Sequence, residues 1–360
     1  MRGIYFSDVK YMKKIIAIIL SACILLTFSL TAFAASDTDS AVISLSRYYK
    51  NNASAEKNIY EVTSLAYLYR PMPAVYYEGK QESHTYTKAE IEATDDPALT
   101  AAELIIFAAT TNIKITELAK DFKPVDIIIA AQNDSGLYSD SLYKSAVCLA
   151  ALLAVSTDDE ITNPTISALL NSMLPDRSGW SSDGSETVDY ELTFFILSVL
   201  SGTRKRADVG NAYLSVREKF LLIINDNGEV IINNVSRPDV AAMAIACTND
   251  YKVDDVVTDD SWKGIYSSLL SLQHEDGYFT DASGNIDEKL TSLALHAVTS
   301  EYCNQSGIGR LVEGRGYING DFSEITVMAV TITLVLVLII FGIIFIAYTM
   351  HKGKKERLGG

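Results

Sequence analysis

Five aspartates set at an almost fixed interval are the residues best spaced to do chemistry in this 360-residue chain. The pattern Asp-x-x-Leu-Thr stands at Asp96 to Thr100, Asp189 to Thr193 and Asp287 to Thr291, and weaker copies open at Asp140 and Asp239. Their spacings are 44, 49, 50 and 48 residues. If the fold gathers Asp140, Asp189, Asp239 and Asp287, they would form a ligand site with Tyr143, Tyr190 and Thr291, an acidic rim bearing tyrosines. The competing reading is helix capping, in which each carboxylate accepts the unpaired N–H groups of a first turn. Capping is the favoured reading, because it gives every aspartate an adequate job. Metal chemistry finds little support. Setting Gly228 at position six of a calcium loop puts Ile223 at position one and Asn234 at position twelve, where an EF-hand needs carboxylates. Cys148, Cys247 and Cys303 lack the spacing of a zinc site or a disulfide framework, and the first two lie in alanine-rich runs as small core residues. No metal or cofactor is implied.

The elements that must carry these residues follow from the same period. Self-similarity at this interval marks stacked helical hairpins. In the last copy, Trp262 to Gln273 reads as one helix, His274 to Ile286 as a turn, and Asp287 to Tyr302 as a second helix. There Leu290, Leu293, Ala294 and Ala297 recur at i, i+3, i+4 and i+7. Pro97 and Pro238 support helix starts beside Asp96 and Asp239. The turns repeat too: Gln132, Gly136 and Tyr138 match Gln273, Gly277 and Phe279 in spacing, with Asp276 before the second glycine. Gly179-Trp180 and Gly228 mark the middle turns. A glycine supplies the positive φ that ends a helix, and the aromatic can pack back on it. Hairpins of this size cannot bury both faces alone and must stack. The expectation is an all-α fold of about five hairpins, with turns near residues 79, 136, 179, 228 and 277. Ala41 to Lys50 is a candidate sixth element.

Gln273-x-x-Asp276-Gly277-x-Phe279, followed by Thr291 to Val298, resembles the repeat of the squalene–hopene cyclase and protein prenyltransferase superfamily. The resemblance covers roughly residues 57–303 and is strongest in the last repeat. It implies an α/α toroid with inner and outer rings of helices, and substrate handled where the inner helices begin. The chemistry of that superfamily is mostly missing. Its cyclases protonate with an Asp-x-Asp-Asp run, whereas Ser156 to Asp159 and Val257 to Asp260 each lack the first aspartate and suit helix starts. Its prenyltransferases hold zinc with Asp, Cys and His, yet no Asp-x-Cys occurs and His296 has no cysteine beside it. The thioester run Cys-Gly-Glu-Gln is absent as well.

Two apolar segments bracket the repeats. Lys13 and Lys14 precede an uncharged stretch ending in Ala32-Phe33-Ala34, which reads as a signal peptide over residues 1–34. A lipoprotein box at Leu20 to Cys23 and an uncleaved anchor are the lesser readings. Ile325 to Met350 has 26 residues and no charge, about 39 Å of helix at about 1.5 Å per residue, enough for a membrane span. Lys352, Lys354, Lys355 and Arg357 in the tail 351–360 would keep the C-terminus cytoplasmic. Residues 35–303 then form an ectodomain, and the glycine-rich stretch 304–324 a linker. The ends hold four basic residues and one acidic residue each, which leaves 35–324 with 22 basic and 43 acidic residues, a formal net of −21. That excludes nucleic acid as a partner.

The sequence therefore reads as a bacterial single-pass protein of the plasma membrane. Its toroid would lie outside the cell and bind a small ligand or a surface or transporter protein. Two alternatives stand beside it: a divergent terpenoid cyclase or prenyltransferase-like enzyme, and an accessory protein handing a captured substrate to a transporter. The sequence singles out no reaction.

Overall fold

The computed structural model describes residues 37–52, 57–68, 80, 84–111, 113–155, 158–252, 260–281 and 283–314. The segments read as signal peptide, transmembrane helix and basic tail lie outside these residues, as does the turn expected near residue 79. The described chain is mostly helical. Its helices are α1 (Asp37–Asn51), α2 (Ile59–Tyr67), α3 (Lys88–Glu92), α4 (Pro97–Thr111), α5 (Ile115–Leu118), α6 (Pro124–Ala130) and α7 (Leu142–Ala154). They continue as α8 (Asp159–Asn171), α9 (Tyr190–Leu200), α10 (Ala207–Leu221), α11 (Pro238–Tyr251), α12 (Asp260–Leu270), α13 (Glu288–Cys303) and α14 (Gly307–Val312).

Burial sorts them into two kinds. α7, α9, α11 and α13 bury unbroken runs: Ser145 to Leu152, Leu192 to Leu200, Val240 to Asp250 and Leu290 to Ser300. A helix apolar all round belongs inside. α2 and α4 are buried nearly as completely. By contrast α8 buries only Thr162, Thr165, Ile166 and Leu169, and α10 only Val209, Ala212, Val216 and Phe220. Such single stripes belong to helices laid on the outside. The six buried helices contact one another in chain order, α2–α4–α7–α9–α11–α13, and α13 returns to α2. Against them pack α1 on α13, α6 on α4, α8 on α7 and α12 on α11.

The turns lock this order. Gly136, Gly179, Gly228 and Gly277 all have positive φ. Gln132 Nε2 donates to Thr165 Oγ1 of α8 at 2.9 Å, and a Cβ on Gly136 would meet the Pro164 carbonyl oxygen at 2.7 Å. The last turn does the same to the first helix: Gln273 Nε2 donates to the Ala41 carbonyl at 3.3 Å, and Gly277 lies against the Ser44 backbone. The end of the repeat array thus docks on its beginning. Trp180 and Phe279 are fully buried, and their N–H groups donate to Thr193 and Thr291 at 3.0 and 2.9 Å. Tyr138 N–H donates likewise to Ser145. Asp276 lies outside these contacts and pairs with His274.

Several expectations are corrected. The five-hairpin all-α toroid with a C-terminal transmembrane helix gives way to fourteen α-helices among the described residues and a two-stranded antiparallel ribbon, β1 (Ile231–Ile232) with β2 (Val235–Ser236). Asn233 and Asn234 turn that ribbon at positive φ, as a two-residue hairpin requires. No helix among the described residues is long and apolar enough to cross a membrane. The longest, α13, has 16 residues, short of the about 20 a span needs, and carries Glu288, Lys289, His296 and Glu301. The stretch read as a linker also begins as structure. Asn304 ends α13 in the left-handed conformation, Ser306 caps α14, and every residue of α14 is buried. α14 packs against α2, α7, α9 and α13. Asp250 of α11 holds it, accepting from Ser306 N–H and from Ser306 Oγ, both at 2.7 Å.

Candidate functional site

The first turns of the buried helices meet at one end of the fold, tied by polar side chains. Lys144 of α7 reaches Asp96 before α4 at 2.9 Å. Lys289 of α13 reaches Glu191 of α9 at 2.6 Å and lies 4.0 Å from Asp239 of α11. Asn58 before α2 donates to Ser292 of α13 at 2.7 Å.

At this end opens a cleft of about 290 Å³ lined by α2, α7, α9 and the loop before α9. Its wall is aromatic. Tyr143 lies 4.9 Å from Phe195 between ring centroids, and Phe195 lies 5.9 Å from Tyr60 with the planes at 84°. Its polar groups are Asp189, Glu191, Ser141, Ser182 and the tyrosine hydroxyls. Tyr143 is 42% exposed at the mouth, whereas Tyr60 is 7% exposed, and its hydroxyl takes no hydrogen bond from the described residues. Burial raises the Tyr60 pKa well above its ordinary value, and Tyr143, Glu191 and Asp189 push the same way, so the phenol stays neutral. Asp189 Oδ1 caps α9 by accepting from Leu192 N–H at 3.0 Å, and Glu191 Oε2 holds Lys289. The second oxygen of each carboxylate takes no hydrogen bond from the described residues.

Behind Tyr60 lies His296, with ring centroids 5.4 Å apart. The histidine is fully buried, with Nδ1 at 3.1 Å from Ser64 Oγ and Nε2 unpartnered among the described residues. Burial pushes its pKa down to about 3, so the ring is neutral. The ring thus sits inside the core.

The residues singled out from sequence are divided by the structure. Tyr143 and Asp189 line the cleft. Tyr190, the next residue, faces the other way and packs against Phe194 and against Phe220 of α10. Asp239 is held in a two-pronged pair by Arg237 at 2.9 and 2.7 Å; burial works against its charge, but Arg237 keeps its pKa below the usual value. Asp287 caps α13 through Leu290 N–H at 2.8 Å, and Thr291 is buried against the turn of Phe279. Asp140 is exposed, and the cap of α7 is its neighbour Ser141. Capping therefore accounts for Asp96, Asp189 and Asp287 but not for Asp140 or Asp239. Tyr60, Glu191 and Phe195 were not singled out. The available signal was the two variable positions of Asp-x-x-Leu-Thr, since Glu191 fills the second of them.

No group of His, Cys, Asp and Glu among the described residues is placed to hold a metal ion. Compared with known proteins, the chain matches no family model and no curated sequence.

Proposed function

We propose that the protein is a binding module whose cleft, at the start of the buried helices, takes a small organic ligand. The observation that carries this reading is the aromatic wall of Tyr60, Phe195 and Tyr143 facing carboxylates in one concave space. Concave sites that combine aromatic side chains with convergent polar groups are where small ligands bind. The cleft holds on the order of ten water molecules' share of liquid volume, which sets the ligand at metabolite size. The Tyr60 phenol, which takes no hydrogen bond from the described residues, supports the same reading because it offers a ligand both a donor and an acceptor at the cleft wall.

The test is a thermal-shift screen of a small-molecule library on the full chain and on Tyr143→Leu. Compounds that stabilise the wild type in a saturable way and lose that effect in the variant are expected. A library whose hits all act equally on both proteins would overturn the reading.

A further inference from the structure

Resting on that reading of the cleft, we propose that its ligand is recognised through an organic ammonium group, seated between the Tyr143–Phe195–Tyr60 wall and the carboxylates of Asp189 and Glu191. Aromatic faces attract cations electrostatically, and the attraction strengthens where water is displaced. Tyr143, 42% exposed at the mouth, supplies the accessible ring, and the fully buried Phe195 packs behind it with centroids 4.9 Å apart. Across from them, Asp189 and Glu191 each keep one oxygen clear of hydrogen bonds from the described residues. Negative charge and the exposed Tyr143 ring in one space favour a cation over a neutral or anionic group of equal size.

Tyr60 adds an independent observation. The residue is nine-tenths buried and lines the cleft, and its hydroxyl has no partner among the described residues. A phenol oxygen can accept from an ammonium N–H or pair with a hydroxyl carried beside the cation. The acids alone would be weaker grounds, since Glu191 already holds Lys289. The acids, the aromatic side chains and the phenol share one cavity.

The experiment is calorimetric titration of the full chain with choline and with its neutral isostere 3,3-dimethylbutan-1-ol, which replaces the charged nitrogen by carbon. Choline should bind one site roughly tenfold more tightly than the alcohol, the size of a desolvated cation–π contact reinforced by carboxylates. Tyr143→Leu, altering a residue at the open mouth, should remove the preference while circular dichroism stays unchanged. Glu191→Gln should weaken choline and leave the alcohol unaffected. Equal affinity for choline and the alcohol, with both lost in Tyr143→Leu, would overturn the ammonium assignment while leaving the binding module standing. Binding of neither at millimolar concentration would also overturn it, and the library screen would then decide the module separately.

Discussion

Replacing Gly277 by alanine tests whether the last turn closes on the first helix. Gly277 has φ +97°, and a Cβ there would run into the Ser44 carbonyl of α1. Two costs follow. The left-handed backbone costs an L-residue roughly 1–2 kcal/mol. Forcing a methyl against backbone that cannot rotate away adds about 1–3 kcal/mol, the usual range of overpacking. Gly284 is the internal control, because its φ is +82° but a Cβ would meet nothing within 4 Å. Gly284→Ala should therefore lose about 1–2 kcal/mol and Gly277→Ala about 2–5 kcal/mol. For a folded unit of this size each kcal/mol moves Tm by roughly 2–4 °C, so calorimetry of the two variants resolves the difference. Gly210, which sits in α10 with open space at its Cβ, should gain from alanine by roughly 0.5–1 kcal/mol. Equal losses at Gly277 and Gly284 would refute the docking of the last turn on α1.

The caps separate in the same way. Asp287→Ala and Asp189→Ala should each cost about 0.5–2 kcal/mol in urea unfolding, and Asp140→Ala should stay within about 0.5 kcal/mol because Ser141 is the cap there. Asp250 gives a pH signature. Burial pushes its carboxyl up to about 7 against the opposing Ser306, Ser198 and Arg204, while the unfolded chain titrates near 3.8. Between those values the native state holds a proton that the unfolded state has released, so stability falls as pH rises through that window. The effect is on the order of a few kcal/mol, and Asp250→Asn should flatten it in urea midpoints taken at pH 5 and 8. Cys148 and Cys247 are buried with raised thiol pKa values, so both should resist alkylation in the native protein and react after unfolding.

Much of the repeat was legible because it is local chemistry. An aspartate three residues ahead of a leucine N–H caps a helix, and a glycine two residues before a buried aromatic makes the turn. Asp189, Asp287, Gly136 and Gly277 follow that logic. The two failures have local causes as well. Ser141 follows Asp140 and takes the cap from it, and Arg237 draws Asp239 into an ion pair. The cleft was less legible, because which face of α9 looks inward is fixed by packing between helices. Tyr190 and Glu191 are neighbours in sequence, yet one packs against α10 and the other lines the cleft. Tyr60 carries no repeat signature at all, and only its position behind Phe195 and beside His296 distinguishes it. The glycines of α14 imitate a linker because composition does not register that Gly309 must pass close to the Asp250 carboxylate.

The most direct test of the cleft as a ligand site is mass spectrometry of small molecules released on denaturing the natively purified full chain, wild type beside Tyr143→Leu. The account predicts a molecule bearing an ammonium group, released from the wild type in proportion to protein and depleted in the variant. The same small-molecule content from both proteins would contradict it.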